Sequence, residues 1–125
     1  MYIESFKQLT VWQRSIELVK EIYQLTAQLP RQEIYGLTSQ MRRAAISIPS
    51  NIAEGKKRRT KKDFLHFLYM ASGSAAELET QIIIVNDLFL DCSTERAASL
   101  LLEVQKMLTV IIKKLDPPNT ISYQL

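Results

Sequence analysis

Four residue types are scarce in this chain of 125 residues. It contains one cysteine, one histidine, three glycines and four prolines. The lone cysteine, Cys92, excludes a disulfide within the chain. So few glycines and prolines favour long helices over many short strands. Apolar runs such as residues 82–85 and 100–102 fall far short of the roughly 18 residues that suggest a membrane span. The first residues show no signal-peptide pattern, so we expect a cytoplasmic protein with no membrane partner.

The sequence offers little for catalysis or metal binding. His66 is the only histidine, and it lies off the main apolar stripe of its helix. Asp63 and His66 have the i, i+3 spacing of a di-iron ligand pair, but such a site needs two pairs and further carboxylates. Cys92 has no histidine nearby in the sequence to activate it. We therefore expect no enzyme activity, no metal site and no cofactor, and a metal-dependent enzyme is the least favoured alternative.

Apolar residues recur at alternating steps of three and four along four segments, which predicts four helices in a single domain, residues 1–125. The predicted helices span about residues 7–29, 33–54, 61–90 and 94–115, followed by an irregular tail, residues 116–125. Their short connections favour an all-α, antiparallel, up-and-down four-helix bundle.

Several residues predict local features of these helices. Pro49 lies inside the second helical pattern, so that helix should kink there or restart. Gly55 is expected to end it as a left-handed C′ residue. Thr60 is expected to cap the third helix, with Asp63 three residues later in a short version of the capping box. The small-residue stretch 71–76 predicts close packing against another helix.

Positive charge is concentrated in one part of the sequence. Between Arg42 and Lys62 there are eight basic residues and one acid, Glu54, whereas the remainder carries eight basic and twelve acidic residues. Basic residues near the C-terminal end of the second helix interact favourably with its dipole. Lys61 and Lys62 lie in the first turn of the third helix, where the dipole disfavours positive charge. This contrast favours a phosphate-binding corner between the two helices, and the alternative is a solvated charged loop.

The predicted ligand of this corner is a nucleic-acid backbone. The basic cluster has no interleaved aromatic residues, so structured RNA fits it better than unpaired strands. A membrane surface is a weaker rival, because no bulky apolar residues accompany the charges. The predicted nucleic-acid-binding residues are Arg42, Arg43, Lys56, Lys57, Arg58, Arg59, Lys61 and Lys62.

Three segments resemble the 23S rRNA intervening-sequence protein family of bacteria. They are SFKQLTVWQRSIEL (residues 5–18), EIYGLTSQMRRAAISIPSNIAEG (residues 33–55) and FLHFLYMASGSAAELETQI (residues 64–82). The resemblance implies an antiparallel four-helix bundle that assembles into a ring-shaped homo-pentamer. Similar bundles are accessory proteins of diversity-generating retroelements, which implies RNA and a reverse-transcriptase-like protein as partners.

The sequence is equally consistent with a structural role and a binding role for three polar residues of the second helix. Asn51 could satisfy the carbonyl of Ala45, which Pro49 leaves without an amide partner, and Glu54 could pair with a nearby arginine. Ser47 lies on the same part of the helix.

The function predicted from the sequence is a non-catalytic, homo-oligomeric RNA-binding bundle, and the main alternative is a protein-interaction scaffold that binds no nucleic acid.

Overall fold

The computed structural model describes residues 5–118, and this part of the chain forms four α-helices and no strands. The helices are α1 (Thr10–Thr26), α2 (Ser39–Lys56), α3 (Lys61–Leu88) and α4 (Glu95–Leu115). Each helix packs against the next one, and α1 also packs against α4, which closes the bundle. The predicted all-α, up-and-down four-helix fold is confirmed. Residues 119–125 of the predicted tail lie outside the described residues.

The first two helices are shorter than predicted because irregular turns replace their ends. Residues Phe6–Gln8 form a separate 3-10 turn, and Leu9 is extended (φ −74°, ψ 125°), so α1 begins only at Thr10. Before α2, a 3-10 turn at Arg31–Glu33 and a π-helical turn at Ile34–Thr38 precede Ser39. Gly36 breaks the helical geometry there (φ −115°, ψ −111°), which explains the late start of α2.

The core is continuous through the bundle and takes apolar side chains from all four helices. In α1 the row containing Val11, Leu18 and Ile22 is buried, whereas Trp12 and its row lie at the edge of the core. Twelve of the largest side chains are almost fully enclosed: Leu18, Ile22, Leu25, Met41, Ile48, Ile52, Leu68, Leu78, Val85, Leu101, Val104 and Leu108.

Helices α2 and α3 approach each other through small and polar side chains. Ala71 and Ala75 are fully buried, and the hydroxyl oxygens of Ser47 and Ser74 lie 2.9 Å apart across the interface. The side of the stretch 71–76 that carries these residues packs closely, as predicted, and the other three residues of the stretch are exposed. Pro49 stands inside α2, which runs through it as one element, so the helix does not restart there.

Candidate nucleic-acid interface

The corner between α2 and α3 is fixed by the close approach of the two helices at Gly55. A Cβ atom on Gly55 would lie 2.7 Å from Cβ of Phe67 and 3.0 Å from Cδ1 of Phe64, so only glycine fits. The predicted left-handed C′ role is wrong, because Gly55 lies inside α2 and no described glycine has a positive φ. Its role is to let the end of α2 contact α3, which holds the basic connection between them in place.

The start of α3 has the cap predicted for it. Thr60 is extended (φ −112°, ψ 150°), and its Oγ1 accepts a hydrogen bond of 3.1 Å from the backbone amide of Asp63. Lys61 and Lys62 therefore occupy the first turn of α3, where the helix dipole disfavours cations. Both side chains are exposed and neither makes an ion pair within residues 5–118.

Two cations of the corner lie over aromatic rings of α3. Lys56 Nζ is 5.8 Å from the ring centre of Phe64, and the Arg58 guanidinium carbon is 4.9 Å from that of Phe67. Arg58 also pairs with Glu54 at 3.1 Å, as predicted for that carboxylate. Each ring follows its cation by eight or nine residues, across the turn between α2 and α3, so these contacts could not be predicted from the spacing within one helix. They orient cations by cation–π attraction.

The remaining four cations of the corner are exposed and form no ion pair within the described part of the chain. They are Lys57, Arg59, Lys61 and Lys62. Their charges are available to an external anion, since no carboxylate within residues 5–118 neutralises them by direct contact.

Arg42 and Arg43 are not part of this corner. They precede Lys56 by fourteen and thirteen residues on the same helix, which places them roughly 20 Å away along the axis. Arg42 donates a hydrogen bond of 2.9 Å from Nε to Oγ1 of Thr26, and its guanidinium lies 4.3 Å from the ring centre of Tyr23. Arg42 therefore ties α2 to α1. The predicted set of eight residues is divided between two ends of α2.

The up-and-down topology adds other cations to the corner's end of the bundle. α1 begins and α4 ends there, so this end also carries Lys7, Lys106, Lys113 and Lys114. We define the basic end as residues 5–18, 48–74 and 105–118, which contain eleven basic and four acidic residues. The opposite half, residues 19–47 and 75–104, contains five basic and eight acidic residues. The described chain is thus charged about +7 at one end and −3 at the other.

These four lysines were not predicted as part of the site, because only basic residues close together in the sequence were assigned to it. Their signal was present, since the predicted topology already brings the first residues of helix 1 and the last turn of helix 4 to the same end.

At the basic end Tyr69 donates a hydrogen bond of 2.7 Å to Oδ2 of Asp116. That hydrogen bond, with partial burial and the carboxylate charge, raises the pKa of Tyr69.

Ser47 and Asn51 form a polar network inside the bundle. Asn51 is 9% exposed, and its Nδ2 donates to the backbone carbonyl of Ser47 (2.8 Å) and to Ser47 Oγ (2.9 Å). The amide therefore serves the carbonyl of Ser47 and not that of Ala45, which was the predicted acceptor. Because Ser47 Oγ also bonds Ser74, the network connects α2 to α3 and has a structural role.

His66 and Cys92 are the two remaining candidate residues, and neither has a catalytic partner within residues 5–118. His66 is exposed and makes an edge contact with Phe67, and Cys92 is a buried free thiol. Among residues 5–118 no group of three or more histidine, cysteine or acidic side chains is placed to hold a metal ion. No helix in the described part of the chain is long and apolar enough to cross a membrane.

Comparison with known proteins agrees with this architecture. A search of curated proteins finds no match. A protein of unknown function from the S23 ribosomal protein family of Bacteroides thetaiotaomicron has a similar crystal structure, with a TM-score of 0.75 and 25% identity. The similarity covers 83% of this chain and 99% of that one. The family model described as 23S rRNA-intervening sequence protein matches residues 7–113, and the chain therefore belongs to this family.

Proposed function

We propose that this protein is a non-catalytic, homo-oligomeric bundle that binds the phosphate backbone of structured RNA through its basic end. The observation that carries the proposal is the set of four exposed cations at the α2–α3 corner that form no ion pair within residues 5–118. They lie on an end that has seven excess positive charges. Such a surface attracts a polyanion without reading its sequence. The bacterial cytoplasm, where RNA is abundant, is the proposed location.

The proposal predicts a steep dependence of affinity on salt. Binding to phosphates releases condensed counterions, so the logarithm of the binding constant falls linearly with the logarithm of salt concentration. If about five phosphates are neutralised, the slope is roughly −4.5 on a duplex and roughly −3.5 on a single strand. Structured RNA contains both duplex and single-stranded segments, so its slope should lie between roughly −3.5 and −4.5.

The homo-oligomer is supported by apolar surfaces on opposite faces of the bundle. A groove between α1 and α2 is lined by Trp12, Ile16 and Ile46, and Ile46 is 42% exposed. On the α3–α4 face, Ile83 and Leu102 are 53% and 51% exposed. Because the helices follow one another around the bundle, these two faces point away from each other.

Different patches on opposite faces favour a head-to-tail interface, which closes into a ring when the rotation permits. The family resemblance suggests five subunits. A ring would repeat the basic end in every subunit, and this multivalency would strengthen individually weak phosphate contacts. A reverse-transcriptase-like protein is a proposed additional partner on the same resemblance.

The RNA proposal is tested with two variants that remove equal charge. The corner variant changes Arg59 and Lys61 to alanine. The control variant changes Lys20 and Arg96, which lie on the opposite half, to alanine. Binding of both proteins to a structured RNA is measured across a salt series, with the mass in solution checked in the same buffer.

We expect the corner variant to lose most of its affinity and to show a much flatter salt slope than the wild type. The control should keep a slope close to that of the wild type. Equal losses in both variants would refute the assignment to the basic end. Weak wild-type binding that never saturates would refute RNA binding and favour the scaffold alternative.

A protein-interaction scaffold is the second candidate, and the exposed apolar groove of α1 and α2 favours it. The oligomer is tested by light scattering on wild type and on the variants Ile46→Glu and Ile83→Glu. Each substitution places a charge on one of the two proposed contact faces, so both should shift the assembly toward monomer. A monomeric wild type at working concentration would refute the oligomer.

A further inference from the structure

A pocket of about 820 Å³ lies between the end of α1 and the start of α2, away from the basic end. Its size falls within the range of roughly 300–1,000 Å³ that is typical of small-molecule sites. Arg31, Arg42 and Arg43 line it, and none of the lining residues in the described range 5–118 is acidic. Three guanidinium groups thus surround a space that no carboxylate of the wall neutralises.

The arginines retain most of their hydrogen-bonding capacity. Arg42 uses Nε for the bond to Thr26, and its position over the ring of Tyr23 holds the rest of the guanidinium beside the pocket. Arg31 and Arg43 are exposed and form no ion pair with any residue in 5–118. A guanidinium is a planar fork of donors that matches the oxygens of a phosphate or carboxylate.

Thr38 adds a hydroxyl group to the wall of the pocket. It is 7% exposed and lines the pocket. Its hydroxyl group can donate a hydrogen bond to a ligand oxygen.

Part of the pocket wall is apolar and includes Tyr23, Ile34 and Ile46. Three positive charges favour an anion with more than one negative charge, whereas the apolar wall and the volume favour a ligand larger than inorganic phosphate. We propose that this pocket binds a nucleoside phosphate, with its phosphates on the arginines and Thr38 and its base against the apolar wall. This site is independent of the RNA surface proposed at the basic end.

The ligand class has two sources, a free nucleotide and the phosphorylated end of an RNA strand. Calorimetric titrations with ADP, adenosine and pyrophosphate test the shared chemistry. We expect saturable ADP binding, with one site per chain. Adenosine should not bind measurably, and pyrophosphate should bind about tenfold more weakly, since each probe lacks one half of the recognition.

The variants Arg43→Gln and Thr38→Val test the residues. Neither side chain makes a hydrogen bond that folding needs, so both proteins should retain the wild-type helical signal. Arg43→Gln should weaken ADP binding at least tenfold, about the effect of one charge-assisted hydrogen bond, and Thr38→Val should weaken it severalfold. The control Arg59→Gln removes the same charge at the basic end and should leave ADP affinity within about twofold.

The absence of saturable ADP binding up to about 1 mM would overturn the proposal. So would equal losses in Arg43→Gln and Arg59→Gln, because they would show general charge attraction. A short RNA with and without a 5′-phosphate then identifies the source. Tighter binding of the phosphorylated RNA than of ADP assigns the pocket to a strand end, and the reverse order assigns it to free nucleotide.

Discussion

Replacing Gly55 with alanine tests the close contact that fixes the α2–α3 corner. In an ordinary helix interior this change would stabilise the protein by about 1 kcal/mol, because alanine has the higher helix propensity. Here the new Cβ would lie 2.7 Å from Cβ of Phe67 and 3.3 Å from the backbone oxygen of Phe64. Carbon atoms in contact prefer about 3.5–4.0 Å, so the two helices must separate locally by about 1 Å.

The atom that the new methyl group meets is attached directly to the α3 backbone, so no side-chain rotation relieves the overlap. Overpacking of a core typically costs 1–3 kcal/mol, and an overlap this close belongs near about 3 kcal/mol. After the gain in helix propensity, Gly55→Ala should lower the free energy of unfolding by about 2 kcal/mol. For a chain of this size the melting temperature should fall by roughly 6–10 °C.

The matched control is Gly73→Ala in the exposed part of α3. A Cβ at Gly73 meets nothing within 4 Å, so only the propensity gain applies and the protein should become more stable by up to about 1 kcal/mol. Both variants are unfolded by heat and by urea at one protomer concentration, because assembly makes apparent stability concentration-dependent. If Gly55→Ala stabilises the protein as much as Gly73→Ala does, the close-contact argument is refuted.

Three further predictions concern hydrogen-bonded side chains. Thr60→Ala removes the cap of α3 and should lower the free energy of unfolding by about 1 kcal/mol, measured by urea unfolding. Asn51→Ala removes two buried bonds to Ser47 and should cost about 2 kcal/mol in the same assay. Asp116→Asn should lower the raised pKa of Tyr69 toward 10, as followed by the ring NMR signals in a titration. Because folding raises that pKa, the bond's stabilisation is present below pH 10 and is lost as pH rises through the folded-state pKa.

Each of these predictions has a specific contradicting result. Thr60→Ser should keep nearly all of the stability that Thr60→Ala loses, since serine caps equally well. An unchanged midpoint for Asn51→Ala would mean that the α2–α3 network adds nothing beyond side-chain packing. A Tyr69 pKa that does not move in Asp116→Asn would show that the carboxylate is not its hydrogen-bond partner in solution.

The fold class could be predicted from local spacing, because apolar residues at steps of three and four share one face only in a helix. The sequence also identified Thr60 as a cap and the α2–α3 connection as the most basic segment. It placed the starts of α1 and α2 too early, since the 3-10 and π-helical turns before them keep much of the helical spacing.

Tertiary structure decided which charged residues lie together. Arg42 and Arg43 belong to the same basic stretch as Lys56 in the sequence, yet the helix rise separates them by roughly 20 Å. Lys113 is far from Lys56 in the sequence, and the antiparallel arrangement brings it to the same end of the bundle. Local spacing fixes the face on which a side chain lies, but the neighbours of that face depend on how the helices pack. For that reason the division of the basic residues between the basic end and an arginine-lined pocket became visible only in the structure.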